Sequence, residues 1–173
     1  VFSGGFLYKT IDDDLIYYKL VEYLLLRYPH LKFWYAGYGS NEEFKPLREL
    51  MTQYPNRVFY TKERSDLFQV LENVDMYLNT YPIGGGLMTQ YSAAAGIPPF
   101  TLSDSGDFCV ELLLDGNTLD IETRDIDKLV LYVDNYIKYK VNNMEYKEKI
   151  RNSVIDEIDF TNNLQRILMN KES

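Results

Sequence analysis

The feature that most constrains this chain is an alternation: a short apolar run, a glycine or proline break, an amphipathic stretch, then another apolar run. Val1–Gly5, Leu31–Ala36, Arg57–Thr61, Asp75–Tyr81 and Pro98–Leu102 read as strands from their length and their aromatic and β-branched content. Helical patterns separate them. From Asp12 onward, Tyr17, Leu20, Val21, Leu24 and Tyr28 recur at helical spacing until Pro29. Phe44, Leu47, Met51 and Tyr54 mark a second helix, with Pro46 suited to its first turn. Ser65 is placed to cap a short helix carrying Leu67, Val70, Leu71 and Val74. Another helix opens at Gly84-Gly85-Gly86 and closes at Gly96. A polar loop over Ser103–Asp107 precedes a short helix around Phe108–Leu114, which ends at the Asp115-Gly116 turn. Ile126, Leu129, Val130, Val133 and Ile137 define an amphipathic helix, and 142–173 reads as a helical tail over Met144–Ile158 and Thr161–Met169. Strands joined by helices predict right-handed crossovers and a mostly parallel sheet covered on both faces. The expected fold is α/β: a single Rossmann-like three-layer αβα domain over 1–173.

Composition narrows the function classes. With 46% apolar and 25% charged residues the chain is an ordinary globular one, and it has no apolar run of the ~18 residues a membrane helix needs. One cysteine and one histidine rule out a disulfide framework and any Cys/His metal cluster, and fit a reducing, cytoplasmic compartment. The net charge of −8 argues against binding nucleic acid. Most of the sixteen tyrosines are expected to be half-buried, with packed rings and wet hydroxyls. Because the chain begins directly on a strand, it is expected to be a domain excised from a longer protein.

Parallel sheets bind ligands at the carboxyl ends of their strands, so the loops after Gly5, Ala36, Thr61, Tyr81 and Leu102 carry the interest. Gly84-Gly85-Gly86 follows a strand and opens a helix whose free N–H groups can take an anion, with the Thr89 hydroxyl one turn on; the same glycines also suit a plain tight turn. Gly4-Gly5 through Lys9-Thr10 resembles a phosphate loop, except that Tyr8 stands where its last glycine belongs. Lys9 reads either as a cation facing a phosphate or as a surface lysine. Gly37-Tyr38-Gly39 begins like a dinucleotide fingerprint, but Glu42 stands in place of the third glycine. Asp12-Asp13-Asp14 reads either as a metal-holding triplet or as acids opposing a helix dipole in a first turn. His30 falls at the wrong end of the sheet for a general base. Cys109 reads as packing, and Asp104, Asp107 and Glu111 as loop acids near the fifth strand.

Taken in order, the stretch from Asp75 to Gly86, Tyr91-Ser-Ala-Ala-Ala-Gly-Ile-Pro98 and Phe100-Thr-Leu102 resemble the C-terminal domain of GT-B glycosyltransferases of the group 1 type. Val1–Gly5 with Lys9, Lys32–Gly39 and Asp115–Thr118 resemble further family landmarks, so the likeness runs along nearly the whole chain. The resemblance implies a nucleotide-sugar site, with a UDP-sugar favoured as donor and no further cofactor or bound metal. It implies that Lys9 acts as the catalytic cation against the diphosphate. Gly84, Gly85, Gly86, Leu87, Met88 and Thr89 would offer helix-terminal groups to the phosphates. Gly4 and Gly5 would border the sugar, and Thr61 and Lys62 would lie near the base. An N-terminal acceptor-binding domain would be the missing partner. Transfer of a hexose in glycan or polysaccharide assembly is the implied activity. Two positions depart from the family: Tyr91, beside Gln90, replaces a ribose-binding carboxylate, and Phe6 replaces an arginine. These departures leave open a catalytically lapsed relative that serves as a scaffold.

Overall fold

The computed structural model describes residues 1–103 and 109–155. The strands are β1 (Phe2–Phe6), β2 (Phe33–Tyr38), β3 (Val58–Thr61), β4 (Tyr77–Leu78), β5 (Pro99–Leu102) and β6 (Glu122–Thr123). The helices are α1 (Ile16–Arg27), α2 (Lys45–Gln53), α3 (Leu67–Leu71), α4 (Gly86–Ala94), α5 (Ile126–Asn135) and α6 (Met144–Arg151). All strand pairs are parallel, and the order is β3-β2-β1-β4-β5-β6. The Rossmann-like expectation holds. The order reverses beside β1, which puts the crevice between the carboxyl ends of β1 and β4.

Strand alternation divides the core. Phe2, Ala36 and Tyr77 pack with Val70 and Leu71 of α3 and with Ile97. Phe33, Tyr35, Val58, Leu78 and Phe100 face the other way, onto α1, α2 and α5. Each fully buried Leu or Phe contributes about 1.5–3 kcal/mol.

Several elements differ from the sequence expectation. Asp12, Asp13 and Asp14 precede α1 rather than forming its first turn, and Asp12 Oδ1 accepts from Ile16 N at 3.0 Å. The cap position of α3 is Asp66, not Ser65. Strand β4 is only two residues long: Asn79 N still donates to Phe100 O at 2.8 Å, and the side chains of Asn79 and Thr80 hold the following turn. The polar pair of β6 is too short to show a period of two. Helix α5 continues into a π-helical turn, Tyr136–Lys140, that carries Ile137. Of the tail, α6 is described; Thr161–Met169 lies outside the described residues, as do Asp104, Asp107 and Phe108. Gly96 ends α4 as expected, with φ +75° and Ile97 N bonded to Ser92 O at 2.9 Å.

The tyrosines differ most. Tyr17, Tyr18, Tyr35, Tyr77, Tyr136 and Tyr146 are buried. Tyr17 donates to Ser3 Oγ at 2.6 Å, Tyr35 to Gly5 O at 3.3 Å and Tyr77 to Gly4 O at 3.3 Å. A phenol can be buried fully when a carbonyl or hydroxyl oxygen lies at its tip, and this core supplies them. Burial pushes Tyr18 up to about 12 and raises Tyr17, Tyr35, Tyr77, Tyr136 and Tyr146 as well. The unfolded chain releases these protons near 10.0 and the folded chain holds them, so their contribution is complete below pH 10 and is lost as pH rises further. Alkaline titration is expected to show two populations: exposed tyrosines ionise without loss of circular dichroism, and buried ones ionise only together with unfolding. A single tyrosinate transition with the helical signal intact would contradict this packing.

Candidate functional site at the carboxyl ends of β1 and β4

Strand β1 carries Gly4-Gly5 just before its last residue, Phe6. A Cβ on Gly4 would lie 2.8 Å from Ala36 O. Gly5 has φ +142°, a conformation that disfavours any side chain although the space beside it is open. A 3-10 turn, Leu7–Thr10, follows and carries Lys9. Thr10 Oγ1 donates to Leu7 O at 2.7 Å and pairs with the buried Tyr18 hydroxyl at 2.7 Å. The Lys9 carbonyl accepts from Ile83 N at 3.4 Å, so this turn is tied to the glycine turn across the crevice. The Lys9 ammonium forms no hydrogen bond or ion pair with the described residues.

Asn79 organises the other wall. It is 1% exposed. Its Oδ1 accepts from Thr80 N at 3.0 Å and Gly85 N at 2.8 Å. Its Nδ2 donates to Thr89 Oγ1 at 3.1 Å and Thr101 Oγ1 at 3.3 Å. Both donors and both acceptor positions are used, which fixes the turn against α4 and β5. Thr89 is buried, and its hydroxyl donates to Gly85 O at 3.1 Å. That hydroxyl is therefore committed within the protein rather than presented at the helix end. The first intrahelical bond runs from Thr89 N to Gly85 O, so the amides of Gly86, Leu87 and Met88 lack a carbonyl one turn back. Two of the three glycines have a packing reason. A Cβ on Gly84 would meet Cys109 Sγ at 2.8 Å, and one on Gly86 would meet Leu112 Cδ1 at 2.7 Å. Cys109 is thus packing, as expected, and it presses on the turn itself.

The remaining expected residues divide between the site and its surroundings. Thr61 Oγ1 accepts from Trp34 Nε1 at 2.9 Å, and Lys62 is exposed beside it. Arg64 chelates Asp66 through Nε at 2.7 Å and Nη2 at 2.5 Å, and lies 5.5 Å from the Trp34 ring centre. The Arg64 hydrogen bond holds Asp66 below the usual carboxylate range. Tyr91, half-buried, sets its ring 5.3 Å from Phe68 on α3, with Gln90 half-buried next to it. Gly37 and Gly39 are required by close packing. A Cβ on Gly37 would meet Gly5 O at 1.8 Å, and one on Gly39 would meet Leu7 Cβ at 2.7 Å. Ser40 and Glu43 form a reciprocal cap after them, with Ser40 N to Glu43 Oε2 at 2.8 Å. Glu111 is exposed. Glu122 accepts from Cys109 N at 3.2 Å and from Val110 N, and burial raises its pKa. Sequence reading missed Asn79 and Glu122 as supports. An Asn at the end of the strand that leads into the glycine turn is the visible signal for the first. His30 lies at the amino ends of the strands, lining a cavity of about 1090 Å³ with Pro29, Lys32 and Asp75. Among the described residues no three of His, Cys, Asp and Glu are grouped to hold a metal ion.

No family profile and no curated protein matches the sequence. Solved structures do match the fold. A mutant of S. aureus TarM in complex with Fondaparinux, alpha-GlcNAc-glycerol and UDP superposes with a TM-score of 0.67 at 17% identity, over 96% of this chain and 34% of that one. The chain therefore shares its fold with part of that structure, a GT-B glycosyltransferase. Anabaena HepE in complex with UDP and glucose gives 0.62 at 16% identity, over 98% of this chain and 48% of that one. Pneumococcal GtfA, an O-GlcNAc transferase in complex with UDP and GlcNAc, gives 0.59 at 19% identity, over 96% of this chain and 36% of that one. The chain thus spans less than half the length of these neighbours. No helix among the described residues is long and apolar enough to cross a membrane.

The contact between the glycine turn and Cys109 yields a direct test. Gly84→Ala is expected to destabilise the domain by about 1–3 kcal/mol through overpacking. In a Cys109→Ala background the same change is expected to cost clearly less, because the thiol it strikes is gone. Equal costs in thermal melts of both backgrounds would show that the turn does not depend on this contact.

Proposed function

We propose that this chain is the donor-binding half of a glycosyltransferase that moves a hexose from a nucleoside diphosphate sugar to an acceptor. A UDP-sugar is the favoured donor. The observation that carries the reading is the pairing across the crevice. An ammonium without a partner among the described residues, Lys9, is tied by its own carbonyl to the turn that leads into the unbonded amides of α4. A cation and a helix N-terminus together stabilise the negative charge of a diphosphate, both when bound and as it leaves. The neighbours solved with UDP and glucose, or with UDP and GlcNAc, support this choice of ligand. The catalytic role of Lys9 is then electrostatic. Gly84, Gly86, Leu87 and Met88 cradle the phosphates through their backbone, Gly85 fixes the turn through its amide bond to Asn79, and Thr89, Gln90 and Tyr91 shape the helix behind them. Gly4 and Gly5 leave room for the sugar, and Thr61 and Lys62 border the base. An N-terminal domain would hold the acceptor, in a cytoplasmic enzyme of glycan or polysaccharide assembly.

A second reading, a lapsed relative acting as a scaffold, is favoured by Tyr91. Its ring lies against Phe68 at the position where the resemblance calls for a ribose-binding carboxylate.

Calorimetric titration of the chain with UDP, with and without magnesium, separates the two. Saturable binding independent of magnesium, weakened about ten- to a hundredfold in Lys9→Ala, is expected for a working donor site. Binding that Lys9→Ala leaves unchanged would remove Lys9 from the site. No binding in the millimolar range would favour the scaffold reading.

A further inference from the structure

Three aromatic rings at the same end of the sheet have no role in the proposal above. Phe6, Tyr8 and Tyr38 are 40%, 48% and 46% exposed. They touch one another: Phe6 and Tyr38 have ring centres 4.4 Å apart at 63°, and Phe6 and Tyr8 have centres 5.6 Å apart at 40°. Phe6 and Tyr38 are register partners at the last rung of β1 and β2, and Tyr8 directly precedes Lys9. Singly exposed aromatics need no explanation, but a contiguous group at the mouth of a crevice does.

We infer that Phe6, Tyr8 and Tyr38 form a cradle for one pyranose ring of an uncharged glycan. The inference rests on the donor reading for its setting, since a hexosyl acceptor has to reach this end of the sheet. Three properties select the occupant. The cluster carries no charge, whereas the neighbouring Lys9 does, so it suits the neutral part of a substrate. Its rings are mutually tilted and offer no flat parallel slot, which disfavours a planar base and suits a puckered ring with C–H groups on both faces. Aromatic faces carry negative quadrupole charge and attract such C–H groups, while the two phenol hydroxyls can bond to sugar hydroxyls. The position also fits: Phe6 follows Gly5, beside which there is open space.

The test is a titration of the isotopically labelled chain with maltotriose, cellotriose and chitotriose, followed by NMR. Saturable shifts centred on Phe6, Tyr8 and Tyr38 are expected with at least one of the three. Affinity is expected to fall about tenfold or more in Phe6→Ala and Tyr38→Ala, and less in Tyr38→Phe, which keeps the ring. Circular dichroism checks that each variant is folded; the exposure of these side chains makes that the expected result. No saturable shift with any trisaccharide overturns the inference. So do shifts that persist in Phe6→Ala, and so does self-association of the chain abolished by Phe6→Ala, which would make the cluster a contact between copies. A parallel UDP titration keeps the two proposals apart. UDP binding without glycan binding removes the cradle alone, and glycan binding without UDP binding removes the donor reading alone.

Discussion

A central parallel strand with two glycines just before its last residue has no side chains there to anchor it. In this fold the anchor comes from tyrosine hydroxyls. Tyr77 donates to the Gly4 carbonyl, Tyr35 to the Gly5 carbonyl and Tyr60 to the Gly37 carbonyl at 2.9 Å. The rings of Tyr35 and Tyr77 lie in the two different cores, so β1 is held through both layers. Each such bond contributes about 1 kcal/mol net, but an unmet carbonyl in this position would cost more. The crevice floor can therefore be bare backbone without being loose.

The opposite wall follows the same logic with a different residue. Asn79 adds four side-chain bonds to its backbone bond with β5, and the glycine turn takes its shape from them. Gly84 and Gly86 are small because Cys109 and Leu112 press against them. A glycine run that a sequence reader assigns to a ligand is thus doubly constrained. Its Gly85 amide is held by Asn79, and its missing side chains make room for Cys109 and Leu112.

Charge at the site is sparse. Arg64 is matched by Asp66 and stacked near Trp34, and the nearby Glu43 caps the turn after β2. Lys9 is left as the cation tied by its backbone to the glycine turn. On a chain of net charge −8, a cation without a partner among the described residues is a local exception. Beside it, the uncharged rings of Phe6, Tyr8 and Tyr38 give the mouth of the crevice a second, neutral character.

The order of elements was legible in the chain itself, because strand and helix periods alternate and glycine or proline punctuates them. The parallel sheet follows from that alternation, and so does the location of the crevice at strand ends. Lys9 and the glycine turn could be named for the same reason, since a βα junction is a local feature. What only the tertiary structure decided is how distant residues are spent. The Thr89 hydroxyl looked available in sequence and is consumed by Asn79 and Gly85. Arg64, in the loop after β3, is matched by Asp66. The tyrosines looked amphipathic and half-wet, and six of them are buried, because oxygens from remote strands and turns meet their hydroxyls. Periodicity reports which face of an element is apolar. It carries no information about which polar atoms, tens of residues apart, will satisfy one another, and here those pairings determine what remains free at the site.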